Sequence, residues 1–420
     1  MNSFLQVKMK GWLMEKSEKI TILSSIVLVG FVLAVIIHYV LGSYLGLSYP
    51  FNTPLCVPQE AFSDFTSTVN RVKGFAPYSH PDSWLTYFPL AYLLLVPFTF
   101  IKNQLLSYII FASGFLTFLT CLNIKFFYIP GLTKMENIKN IFILTITSYP
   151  ILYALDRGNF DMFLFVIFAG FVYLFKSKKY LLSAVLLGIQ NAIKPFPLLF
   201  LLLFLFKKKY KEFFLSLLIS GLLIIGSFLC FKGGFFHQIT TYIQSLVIFK
   251  KLWIYNISGN GMSESSSLFG ALKFLLCVYN HVTTTLVLEK LYIFIASIIT
   301  MITIIFTYKE DVFWKKITLL TLNMLLVPYI IIDYKLIFLF IPIWLFVNAK
   351  EKTKLDLTYT ILLGLLLIPK KIFFLWLHVE HMTQLVTYGI IINPILMLIF
   401  MGLIIYEQLS KKQKKEENEN

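Results

Sequence analysis

The sequence predicts an all-α, polytopic integral membrane protein with about twelve transmembrane helices. Three observations lead there. The 420 residues are 58% hydrophobic and 17% aromatic but only 14% charged, where soluble domains carry about 25% charge. Apolar runs of roughly 17–25 residues recur along the chain, and they are apolar on all faces rather than on one stripe. The Lys and Arg residues gather at the ends of those runs: Lys16 and Lys19, Lys176 to Lys179, Lys207 to Lys209, Lys350 to Lys354, and Lys411 to Lys415. A net charge of +16 distributed in this way orients a membrane protein and favours anionic lipid. It does not describe a nucleic-acid surface.

The first apolar run, 21–41, has no small-residue cleavage site and reads as a signal anchor with the N-terminus inside. Further runs follow at 85–101, 104–122, 140–155, 162–175, 180–193, 195–206, 212–231, 286–307, 317–332, 336–348, 356–369 and 386–406. If all of them crossed, the Lys-rich tail would lie outside. Lys125, Lys134 and Lys139 also ask for the inside, so one segment between 102 and 140 is expected not to cross. Both termini are then cytoplasmic, and the loops at 42–84, 156–161, 232–268 and 370–385 lie outside. The reading is one transmembrane domain over 1–410, with an outer loop at about 42–84, and a charged tail over 411–420. No regular structure is expected after Glu407. The runs 180–193 and 195–206 are short and are separated by Ile193-Lys194-Pro195. Proline interrupts the helix there, and a broken membrane helix is tolerated where it lines a cavity.

The polar motifs fall on the expected outer side. Asp64 lies in Phe62-Ser63-Asp64-Phe65, and its aromatic neighbours hold the loop against the membrane. The plain reading is a solvated loop acid, but the length of the loop and its partial desolvation favour a general base. Asp156-Arg157-Gly158-Asn159-Phe160-Asp161 is either a connecting turn with a local ion pair or a polar cavity wall. Arg157 carries the planar fork that suits phosphate oxygens. Lys194, at membrane depth, either snorkels or serves an anion site. Asp333 and Lys335 either pair with each other or face the same cavity. The Gly/Ser/Asn-rich stretch 256–267 is a lid or a linker. His80, His237, His378 and His381 form no convincing ligand set, and Cys56, Cys121, Cys230 and Cys277 show no metal-ligand spacing or disulfide framework. Neither a metal nor a cofactor is expected.

Taken together, these pieces resemble the GT-C class of membrane glycosyltransferases, and most closely the glycosyltransferase 87 family (DUF2029), which includes polyprenyl-phosphate-mannose-dependent α-mannosyltransferases. The matching residues are Asp64-Phe65, Pro77-Tyr78, Tyr87-Phe88-Pro89, Arg157-Gly158-Asn159, Ile193-Lys194-Pro195 with Pro197, and Asp333-Tyr334-Lys335-Leu336. The resemblance implies a GT-C architecture and transfer of a hexose from a polyprenyl-phosphate donor to a glycolipid or glycan hydroxyl, with inversion. Transfer would occur on the extracytoplasmic face of the plasma (inner) membrane. It implies Asp64 as general base and Arg157, Lys194 and Lys335 as ligands of the donor phosphate. Tyr78, Tyr87, Asn159 and Asp333 become candidates for the substrate cavity. The sequence departs from the resemblance at Phe65-Thr66-Ser67-Thr68, where many members carry a tyrosine.

Two other readings compete. A flippase of lipid-linked sugars would place charge at the bilayer midplane and show internal repeats. An O-antigen ligase or polymerase-like enzyme would carry a large outer loop bearing Arg and His, and the loop at 232–268 has no Arg.

Overall fold

The structure, a computed structural model, describes residues 14–419 apart from 57, 80–84, 256–263, 280–285 and 380–381. Helix α1 (Lys16–Tyr39) is followed by α2 (Ser63–Val72), α3 (Pro89–Thr99) and α4 (Gln104–Phe127). Helix α5 (Lys134–Phe142) continues through 143–147 into α6 (Tyr149–Arg157), and then come α7 (Asp161–Lys176) and α8 (Tyr180–Ile193). A 3-10 stretch, Phe196–Leu201, leads into α9 (Leu202–Phe206). Next are α10 (Tyr210–Leu229), α11 (Gly234–Phe249), α12 (Leu268–Lys273), α13 (Leu286–Lys309) and α14 (Phe313–Leu326). A second 3-10 stretch, Asp333–Leu339, opens α15 (Phe340–Val347), followed by α16 (Asp356–Leu367) and α17 (Gly389–Glu419).

Among the described residues, five helices are long and apolar enough to cross a membrane: α1, α4, α10, α13 and the apolar part of α17. The pair α5–α6, bent by 48°, makes a sixth. Helices α7, α8, α14 and α16 have 16, 14, 14 and 12 residues. At 1.5 Å per residue they reach only about 24, 21, 21 and 18 Å.

Membrane helices need no single apolar stripe, and packing decides which residues are covered. On α1, Ile20, Leu23 and Val27 are buried, while Val29, Leu33 and Ile36 remain exposed. The stretch from Leu336 to Val347 is covered on every side and forms the centre of the bundle, with Phe338 ringed by Phe165, Phe168 and Phe196. Helices α8 and α10 meet through small residues. A Cβ on Gly188 would lie 2.9 Å from the Ser216 carbonyl oxygen, and the Ser220 hydroxyl donates to the Gly188 carbonyl at 3.0 Å. Close backbone approach of this kind is how helices associate where lipid removes the hydrophobic drive.

Contacts between loops sort the residues into two ends. At one end, Lys16 donates to the Tyr128 carbonyl at 2.9 Å, Lys19 pairs with buried Asp356 at 2.8 Å, and Lys315 pairs with Glu407 at 2.6 Å. At the other end, the Phe88 amide donates to the Ile193 carbonyl at 3.1 Å and the Lys232 amide to the Phe75 carbonyl at 2.8 Å.

Helix α3 begins and finishes at this second end. Phe88 precedes it beside Ile193, while Gln104, just after it, donates to Asn70 of α2 at 3.2 Å. Segment 89–99 therefore starts and ends at the same end of the bundle. Pro97 inside an eleven-residue helix shortens it. The fold class is all-α as expected, with one short antiparallel hairpin, β1 (Phe373–Val379) and β2 (Met382–Thr387), in which Phe373 lies opposite Thr387. One expectation needs correction. The region after Glu407 stays helical to Glu419, with Lys411 paired to Glu407 one turn away at 2.7 Å.

Candidate functional site

Asp64 sits in the first turn of α2. Two aromatic anchors fix that turn. Phe62, whose φ is +58°, stacks on Tyr108 with centroids 4.0 Å apart and donates its amide to the Asp156 carbonyl at 2.7 Å. Phe65 is buried among Tyr108, Phe98 and Phe111. The two aromatic residues that bracket Ser63-Asp64 thus nail this turn into the bundle. The carboxylate itself stays partly open, at 23% side-chain exposure.

The partner motif closes helix α6. Gly158 adopts φ +63° at the helix end, and a Cβ there would lie 2.9 Å from the Phe65 Cβ. Only glycine allows both the left-handed turn and the contact with α2. The turn delivers the two residues beside it to Asp64. The Arg157 guanidinium pairs with Asp64 Oδ1, and the Asn159 amide donates to Asp64 Oδ2 at 2.7 Å. Asn159 Oδ1 accepts the Asp161 amide at 2.9 Å, which fixes the direction of its donor. A carboxylate has about four lone-pair sites, so two donors orient Asp64 without saturating it.

Lys194 follows α8, where the chain turns extended before Pro195. Its ammonium lies 3.2 Å from Asp161 Oδ1 and 4.4 Å from the centre of the Tyr87 ring. Asp161 is fully buried. Lys335 donates to the Ile330 carbonyl at 3.2 Å, within electrostatic reach of Lys194 and Asp161. The Tyr334 hydroxyl is within electrostatic range of Asp64, Asp161 and Arg157. Three cations and two acids therefore converge at one end of the bundle.

Beside them opens a cavity of about 320 Å³. Arg157 belongs to both places, since it holds Asp64 and also lines this cavity with Glu60, Cys56, Tyr153, Trp253 and Glu264. Glu264 accepts from the Tyr153 hydroxyl at 2.7 Å and lies 3.5 Å from the Lys371 ammonium. Burial pushes the Cys56 thiol above its usual value, opposed by the hydrogen bond from Arg157. Among the described residues, no three His, Cys, Asp or Glu side chains are grouped closely enough to hold a metal ion.

The model of glycosyltransferase family 87 matches residues 84–328, more than half of the chain. The chain belongs to glycosyltransferase family 87. It is a membrane glycosyltransferase. No curated protein and no solved structure matches it. The family 87 match covers Tyr87, Arg157, Asn159, Asp161 and Lys194, whereas Asp64 precedes it and Asp333 and Lys335 follow it.

In this family 87 chain the remaining expected residues are placed differently. Tyr78 is buried against Tyr92 and Tyr242, and its hydroxyl donates to the Tyr87 carbonyl at 2.7 Å, so it supports the segment that carries Tyr87. Asp333 is not paired with Lys335. It accepts from Ser266 and from Asn393, the latter at 2.8 Å, in a buried network that ties α17 to the Asp333–Leu339 stretch. The lid-or-linker stretch lies outside the described residues over 256–263, as do His80 and His381.

Sequence reasoning held Asp161 only as part of the Asp156–Asp161 motif, and it missed Glu60, Glu264 and Lys371 as members of the site. Two signals were available. Glu264 is the lone acid between Glu212 and Glu289, and Lys370-Lys371 are basic residues in a loop that the charge pattern places outside, where the charge rule wants none.

Proposed function

We propose that the enzyme transfers a hexose from a polyprenyl-phosphate donor to an extracytoplasmic hydroxyl acceptor on a glycolipid or glycan, with inversion at the anomeric carbon. The observation that carries this reading is the Asp64 carboxylate, oriented by Arg157 and Asn159 yet still open. In a single in-line displacement the acceptor oxygen attacks the anomeric carbon and its proton passes to Asp64. The anomeric C–O bond breaks, and the electron pair leaves on the polyprenyl phosphate. Arg157, Lys194 and Lys335 are the cations available to that leaving charge. A phosphate already carries charge, so the departing group needs no added proton. Glu60, Glu264 and Trp253 supply acceptors and an aromatic face suited to sugar hydroxyls and sugar C–H faces.

We further infer that both termini are cytoplasmic and that the chain makes about twelve traversals. These are α1, α4, α5–α6, α7, α8, 196–206, α10, α13, α14, 333–347, α16 and α17. The loop contacts at the two ends support this count with α3 excluded. Clustering of the charged groups at one end, rather than at the midplane, favours an enzyme over a transporter.

The test is transfer of label from a panel of polyprenyl-phosphate hexoses into membrane lipid and glycan. Wild type is expected to incorporate one sugar, and Asp64→Asn to lose about 10²–10⁴-fold, the usual weight of a general base. Wild-type turnover in Asp64→Asn removes Asp64 as the base. Passage of labelled donor across the bilayer without any transfer replaces the enzyme reading with the flippase.

A further inference from the structure

At the end of the bundle opposite Asp64, helices α4 and α7 leave between them a cleft of about 490 Å³. Its walls are apolar, with Leu122 from α4, Ala169 and Val172 from α7, and Ile341 and Trp344 from α15. The Trp344 ring is fixed in place. It stacks on Phe126 with centroids 5.3 Å apart, and its N–H donates to Asn123 at 2.8 Å. The walls are therefore built before anything enters.

The mouth of the cleft is basic. Lys125 stands in the last turn of α4 and Lys176 in the last turn of α7, and both line the opening. The Lys125 ammonium sits 4.4 Å from the centre of the Tyr173 ring, which holds it at the rim. The described residues give neither lysine an ion-pair partner, whereas Lys19 and Lys315 at the same end are paired with Asp356 and Glu407. Two ammonium groups without counter-charge above an apolar slot are complementary to an amphiphile with an anionic head.

We propose that this cleft binds one anionic glycerophospholipid from the leaflet opposite the catalytic end, with an acyl chain between α4 and α7 and the phosphate at Lys125 and Lys176. The chain fills a gap whose lining otherwise lacks contact partners, and the lysines discriminate net charge rather than phosphate alone. Each basic residue at such a surface favours anionic lipid about fivefold, so the pair favours it about thirtyfold over a zwitterionic lipid of the same chain length.

The experiment is native mass spectrometry of the purified full chain with phosphatidylglycerol and phosphatidylcholine of matched chains. Wild type is expected to retain one phosphatidylglycerol with about thirtyfold preference, and Lys125→Gln/Lys176→Gln to fall to near parity. Both lysines are exposed, so the fold is unaffected. Lys207→Gln/Lys208→Gln removes equal charge elsewhere at the same end and is expected to leave the preference unchanged. Preference kept in the first variant, or lost equally in the second, overturns the site. A phosphatidylglycerol with a photoreactive acyl chain is expected to label peptides holding Leu122, Ala169 or Ile341, and labelling confined to other helices likewise overturns it.

Discussion

Arg157 makes the most varied contacts in the site. One guanidinium pairs with Asp64, approaches Glu60 at 4.0 Å, donates to the Cys56 sulfur at 3.5 Å and lines the cavity. Lysine cannot reproduce that fork. Arg157→Lys is expected to lower turnover about 10–100-fold, as loss of a hydrogen bond between charged groups does, and a transfer assay checks it. Gly158→Ala meets both a left-handed backbone and the Phe65 Cβ at 2.9 Å. It is expected to destabilise by at least about 1–2 kcal/mol, read as a lowered Tm in detergent. The buried pair Lys194–Asp161 separates two roles. Lys194→Met leaves Asp161 buried and unpaired, at about 3–5 kcal/mol. Adding Asp161→Leu is expected to restore most of the Tm but no turnover, if Lys194 also holds the donor. Asp64, Arg157 and Lys194 were legible in the sequence because a polar residue set among apolar ones costs free energy and stands out. The pairing of Asp161 with Lys194 was not, because it depends on how the chain folds across 33 positions.

At the scale of elements, the sequence located most helices by hydropathy, and the Lys194-Pro195 break falls where the composition placed it. It missed the hairpin because a run of Phe, Leu, Trp and Val fits a strand as well as a buried helix. It could not tell that α3 starts and ends at one end of the bundle, because hydropathy reports burial in lipid but not direction. The residues between α16 and the hairpin were the quiet anomaly. Lys370 and Lys371 are buried there, and the Lys370 ammonium donates to the Leu365 and Ile368 carbonyls at 2.7 and 2.9 Å. Burial pushes the Lys370 amine down to about 8, against the pull of the Asp333 carboxylate. An unfolded lysine titrates near 10.4, so between the two values the unfolded chain holds the extra proton and stability rises with pH. The Tm in detergent is expected to climb from pH 8 to pH 10, and Lys370→Gln is expected to flatten that climb.

For the molecule as a whole, charge and composition sufficed to recognise a membrane bundle with its charged residues at the ends of its helices. They could not give the depth of those ends. Helices α7 and α8, whose ends carry Asp161 and Lys194, have 16 and 14 residues, about 24 and 21 Å, against a hydrocarbon core of about 30 Å. The Asp161–Lys194 pair is therefore recessed, and the surrounding lipid must thin to meet it, at a fraction of a kcal/mol for each ångström of mismatch. Bilayer thickness then becomes an effector of this transferase. Reconstituted in vesicles of short-chain lipid, it should reach its substrates with little deformation of the membrane, and in long-chain vesicles turnover should fall although every side chain is unchanged.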